Sequence, residues 1–275
     1  MSEQTRPQPS ERAMRAMFVL LFLLGGLIVT FVVWRMQFAP RLGFTEVTTW
    51  QYAFLLLLLV GTVVSIVRRI SSRFFWEVLL TITLFLGVWY LFLLVLPLGW
   101  ALLIAAVLTL AHFLLRNVFL HNAFYLLGAA GVAIDFAGWL SPEFLLIGLV
   151  LFVVYDMLYG PPGGAIEALA TQLMKQGIVP GVVIADRWRD LLVSVDDAMK
   201  RHSALLGGGD LILPLALVAR AAFAGTTQAL IVLAGILAAA IILARGEMTH
   251  PRAILPVLAL GAALPFVVLR FLARI

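Results

Sequence analysis

Three aspartates lie inside apolar runs: Asp135, Asp156 and Asp210. An aspartate within a membrane span costs roughly 2.5–3.5 kcal/mol on insertion scales, so each asks for a role. Asp156 stands three residues before the end of a run that closes at Tyr159, and Asp210 six residues past the start of the next, at Ala204. At helical rise these positions are about 5 Å and about 9 Å from the ends of their runs. Consecutive spans run in opposite directions, so the two acids share one leaflet. Asp135 lies near the far end of its run, at another depth, and reads as a local hydrogen-bonding residue or one facing an outer water pocket. Two carboxylates that meet in a low-dielectric site hold a single proton between them. Such a pair supplies a base to deprotonate water and an acid to polarise the carbonyl that the water attacks. Peptide hydrolysis by this route needs neither a metal nor a cofactor. The same acids also read as helix-end caps or as steps of an ion path, and depth and order alone leave the choice open.

The neighbours narrow it. Asp210 follows Gly207, Gly208 and Gly209, each costing a helix about 1 kcal/mol relative to alanine. Glycines also let a second backbone approach, as a protease acting on peptide bonds requires, although they serve membrane helices as packing residues too. Tyr155, next to Asp156, is placed either to donate a hydrogen bond near the acids or to pack at the membrane interface.

The elements that position these acids follow from composition. Of 275 residues, 63% are hydrophobic and 12% charged, against about half apolar and about a quarter charged in soluble domains. The chain reads as a polytopic, all-α membrane protein, a single membrane domain over 1–275 with no room for a large soluble domain. There is no cysteine, which excludes disulfides, thiolate metal sites and a cysteine nucleophile. The four histidines form no H-E-x-x-H, so no metal site is expected. The net charge of +5 is carried at helix ends, where it orients a membrane protein, and nucleic acid is not an expected partner.

Apolar runs at Met17–Trp34, Tyr52–Val67, Trp76–Val95, Trp100–Leu115, Leu120–Trp139, Glu143–Tyr159, Ala204–Ala224, Thr227–Ala244 and Ala253–Leu272 predict nine spans. The first reads as a retained anchor. With the N-terminus inside, 14 of the 19 basic residues fall on inner segments, placing the N-terminus in the cytoplasm and the C-terminus outside. The long hydrophilic segment, about 160–203, then lies in the cytoplasm. Gly160-Pro161-Pro162-Gly163-Gly164 opens it as a helix breaker. Ala165–Gln176 predicts an amphipathic helix, Ile178–Ala185 a short strand, and Arg187–Arg201 a solvated loop or helix.

Tyr155-Asp156 and Gly207-Gly208-Gly209-Asp210 resemble the YD and GxGD motifs of presenilins and signal peptide peptidases, most of all their archaeal and bacterial homologues. Leu211-Ile212-Leu213-Pro214 is similar to the run after the second aspartate in those homologues, and Leu169-Ala170 and Met174 stand as in the family's short cytoplasmic helix. The third motif departs from the pattern. In Ala253-Ile254-Leu255-Pro256 the usual P-A-L-P has lost its first proline and changed its alanine, which bears on substrate docking and leaves the acids untouched. The motif-bearing similarity covers about 151–261; the earlier spans match in number and placement.

The resemblance implies a presenilin-like fold and an intramembrane aspartyl protease with Asp156 and Asp210 as its catalytic pair. Transmembrane proteins in the bilayer would be its substrates, with no accessory subunit required, in a prokaryotic plasma membrane. The expected strand at Ile178–Ala185 would then pair with an extended substrate. Two other readings remain: a proton- or ion-coupled transporter using the same acids, and a prepilin-peptidase-like GxGD protease. The latter's second motif continues with a lysine, where Leu211 stands here. No G-x-S-x-G-like turn supports a serine protease.

Overall fold

The computed structural model describes residues 11–36, 73–159, 165–200, 203–245 and 254–273. The long apolar runs form helices α1 (Glu11–Met36), α2 (Arg73–Leu93), α3 (Leu98–Leu115), α4 (Val118–Trp139) and α5 (Pro142–Tyr159). After α6 (Ala165–Lys175) come strand β1 (Gly181–Ile184), a 3-10 turn (Trp188–Leu192) and α7 (Val195–Lys200). Strand β2 (Ala204–Gly207) leads into α8 (Gly208–Ala224), followed by α9 (Thr226–Arg245) and α10 (Leu255–Ala273). Among the described residues, α1 to α4, α9 and α10 are long and apolar enough to cross a membrane. The expected second span, Tyr52–Val67, and the breaker at Gly160–Gly164 lie outside the described residues.

Helix α8 occupies the middle. It packs on α1, α4, α5, α9 and α10, and Leu211, Leu215, Leu217 and Val218 are fully enclosed. A helix apolar on every side has no face for water and must be surrounded. Helices α4 and α8 run parallel: Tyr125 meets Gly208 near their starts, and Arg220 Nη1 donates to the Ala137 carbonyl at 3.2 Å near their ends. On its other side α4 packs on α2, where Gly87 lies directly on Gly128 and Gly131. A Cβ at Gly87 or Gly131 would strike the facing backbone, the close approach by which membrane helices gain contact without a hydrophobic driving force. Helix α5 is peripheral: Ile147, Val150, Leu151, Val154, Met157 and Leu158 are all exposed, as a lipid-facing helix requires.

Two expectations change in the segment before α8. Ala204–Gly207 was expected to open the seventh span; it is a strand, antiparallel to β1 with Gly181 opposite Gly207 and Val183 opposite Leu205. Among the described residues the fold is thus helical with one small two-stranded sheet. The residues from 176 to 200 fold as a cap with a core of their own, in which Val179, Val183 and Ala198 close over Val118 at the start of α4. Hydropathy could not show this, because four-residue strands and single turns bury too little to give a periodic signal.

Candidate active site

Asp210 belongs to the first turn of α8. The expected depth of six residues into a span is therefore corrected: Gly207 ends β2, Gly208 starts the helix, and Asp210 is its third residue. The three glycines have distinct surroundings. A Cβ on Gly207 would lie 3.1 Å from Asp210 Oδ2, and the Gly207 backbone hydrogen-bonds the Asp210 carboxylate. A Cβ on Gly208 would collide with the Tyr125 hydroxyl. Gly209 is exposed and faces open space. The glycines thus make a strand-to-helix junction that fits against α4, rather than a weak stretch within a helix. Four residues on, Pro214 has no N–H for the Asp210 carbonyl, so the helix leaves that acceptor without its usual i+4 donor.

Asp156 comes from the last turn of α5. It is half-buried, its Oδ2 is enclosed with no hydrogen-bond partner among the described residues, and its charge reaches Asp210. The two acids are therefore within electrostatic reach of each other, on helices α5 and α8 that pack together. Tyr155 is 40% exposed, on the outer face of α5. Asp135 takes no part: its Oδ1 accepts a hydrogen bond from Trp139 Nε1 at 2.8 Å, one turn away, the local role expected of it.

The third motif starts α10. Leu255 is buried, Ile254 and Pro256 are half-buried, and Pro256 sits in the first turn, where no helical donor is lost. Ala253 lies outside the described residues. Gly235 of α9 meets Gly261 and Pro265 of α10, while Ala239 meets Gly261, so these helices are antiparallel. With α9 turning back from α8 at Gly225, α10 begins at the end of the bundle that holds Asp210.

Sequence reasoning passed over a second polar set, on α4. Asn122 clasps the backbone of Val183, its Nδ2 donating to the carbonyl at 2.7 Å and its Oδ1 accepting from the N–H at 2.9 Å. His121 Nε2 lies 2.8 Å from the Gly181 carbonyl, which can only accept, so that nitrogen carries the proton. Tyr125 donates to the Pro180 carbonyl at 3.1 Å. All three are nearly enclosed, His121 and Tyr125 at 5% exposure and Asn122 at 9%. The rule that singled out the aspartates, polar groups inside an apolar run, would have found them had it been applied to neutral side chains.

This arrangement corrects the expected role of β1. One of its edges pairs with β2 and the other is taken by His121 and Asn122. No edge of β1 is left for a substrate.

No family model matches the chain, and no curated protein matches it by sequence. Solved structures do. A presenilin family intramembrane aspartate protease, in its C222 crystal form, is 26% identical over 94% of this chain and 99% of that one, with a TM-score of 0.59. Its P2 form gives 25% identity over 93% and 96%, with a TM-score of 0.56. The chain is presenilin-like. The similarity extends over nearly the whole length, beyond the 151–261 region that carries the motifs. With its apolar helices, it makes this presenilin-like chain an integral membrane protein, and intramembrane proteases are its structural neighbours.

Proposed function

We propose that this protein is an intramembrane aspartyl endopeptidase that hydrolyses peptide bonds within transmembrane segments of other proteins, with Asp156 and Asp210 as its catalytic pair. The observation that carries the reading is that two carboxylates, one on a peripheral and one on a central helix that pack together, lie within electrostatic reach of each other. Neither is tied into an ion pair among the described residues. A structural acid on a membrane helix is usually bonded away, as Asp135 is to Trp139.

In the reaction one carboxylate takes a proton from water as the water oxygen attacks the peptide carbon. The other, protonated, gives its proton to the carbonyl oxygen, forming a tetrahedral diol. The first carboxyl group then gives its proton to the amide nitrogen while the second recovers one from a diol hydroxyl, so that the C–N bond breaks and an amine and a carboxylic acid leave. The carbonyl must be reachable, so the substrate helix has to unwind beside the acids, and its freed amides need partners in lipid. Backbone groups alternate in direction along a strand. Since Val183 turns its own to Asn122, Val182 and Ile184 face Leu206 and Ala204. Leu205 then turns its N–H and carbonyl away from β1. That edge of β2 has no strand beside it among the described residues, and we assign it the extended substrate. Exposed Gly209 leaves space for the substrate backbone on the way to Asp210.

In this reading Asp156, Asp210 and the cap lie at the cytoplasmic end, with the N-terminus inside and the C-terminus outside, as basic-residue bias requires. The protein acts in a prokaryotic plasma membrane, without accessory subunits. We also assign Ala253, Ile254, Leu255 and Pro256 to the substrate's path, since α10 begins with Leu255 at the end of the bundle that holds Asp210.

The test is cleavage of a single-span substrate by purified protein in lipid, comparing wild type with Asp156→Ala and Asp210→Ala. Loss in both variants is expected. Cleavage that survives either change overturns the pair, and ion flux in proteoliposomes that depends on the acids, without cleavage, would assign the transporter reading instead.

A further inference from the structure

The α4 trio is more than a packing device. Apolar contact holds helices together but is non-directional, and apolar side chains at 121, 122 and 125 would pack α4 in its place. Hydrogen bonds to the Pro180 and Gly181 carbonyls and to both backbone groups of Val183 do something apolar contact cannot: they fix β1 at one height along α4. Helix α3 supports the grip, with the His112 ring stacked on Phe124 at 5.0 Å and 5.2 Å from the His121 ring.

Strand β1 in turn fixes β2, pairing Gly181 with Gly207 and Val182 with Leu206. Strand β2 needs that support, because it is four residues long and joined to α8 through Gly207 and Gly208. Backbone approach at this joint is tight: a side chain on Gly181 would run into the Leu206 carbonyl. A line of contacts therefore runs from the α4 side chains to the backbone of β1, on to β2, and ends at Asp210.

We propose that His121, Asn122 and Tyr125 are positioning residues that set which substrate bond is cut. They do so by holding the β1–β2 sheet in one register relative to Asp210. The inference rests on the protease reading and on substrate pairing along β2. A strand that slips keeps its side-chain faces only if it moves by two residues, about 6–7 Å. A loosened sheet should therefore move the cut by about two residues along the substrate.

The experiment uses the full chain in lipid, with mass spectrometry of both product ends and amide hydrogen exchange. In Asn122→Leu, new product ends about two residues from the wild-type cut are expected. Exchange should rise in peptides covering 178–185 and 204–207 while α4 and α8 stay protected. His121→Gln, which can place an amide donor near the position of Nε2, should keep the wild-type ends, and His121→Leu should lose them. This His121 pair decides the matter if Asn122→Leu fails to fold. Unchanged product ends in Asn122→Leu and His121→Leu overturn the proposal, as does loss of cleavage with no change in product ends or sheet exchange. If wild type cuts nothing, the protease reading fails by itself. Sheet exchange unmoved by Asn122→Leu then overturns the positioning role independently.

Discussion

The two acids reach the site on very different supports. Asp210 begins a largely enclosed helix, with five other helices around α8 and a two-stranded sheet leading into its start. Asp156 ends a helix whose outer face is exposed over most of its length and which leans on α8 and α10, with slighter contact to α4 and α6. One acid is fixed in the frame and its partner is carried on the rim. On the protease reading, a site that admits a whole helix and then closes on an unwound strand needs one reference point that stays and one element that yields. The enclosed helix suits the first role, and the rim helix, with few buried contacts, suits the second.

This contrast gives predictions of decreasing size. Asp156→Asn and Asp210→Asn should each lower cleavage by at least about 100-fold, the usual contribution of a general acid or base. The two helices should then separate in stability. Leu215→Ala, fully enclosed on α8, should cost about 2–5 kcal/mol. Leu151→Ala, exposed on α5, should stay within about 0.5 kcal/mol. Reversible unfolding in mixed detergent micelles measures both, and equal costs would end the distinction between frame and rim.

At the glycines the expected effects are smaller. Gly208→Ala, whose new methyl meets the Tyr125 hydroxyl, should slow cleavage about tenfold, a barrier change of about 1.4 kcal/mol. Gly209→Ala, facing open space, should leave folding intact and gain about 1 kcal/mol of helix propensity. The smallest effect concerns motion. The chain has no cysteine, so paired labels can be introduced cleanly. Spin labels at Leu158 on α5 and Ile241 on α9 should give a broader distance distribution than labels at Leu20 on α1 and Ile241. Equal widths would show α5 held as firmly as the core.

The long apolar helices were legible because about twenty apolar residues in a row have few alternatives to crossing a bilayer. Described helices match the expected runs to within a few residues, apart from the starts of α1 and α8. The start of α8 was misjudged for a physical reason: Ala204-Leu205-Leu206-Gly207 is as apolar as a helix, and hydropathy cannot tell a buried strand from a buried turn of helix. Strand β1 was expected, its β-branched residues being a local signal. Its partner was not, since pairing depends on residues brought from elsewhere.

By itself, then, the sequence determined an integral membrane protein and the placing of most of its helices, and it singled out the two acids proposed as the catalytic pair. Composition and local spacing carry that much, because burial in lipid is a property of each segment alone. Tertiary structure decided which helix stands at the centre, where α8 begins, and which strand edge is closed. It also brought His121, Asn122 and Tyr125 onto a strand some sixty residues further along the chain. Hydrogen bonds to another segment's backbone leave no pattern in the residues that make them, and only the fold brings the two sides together.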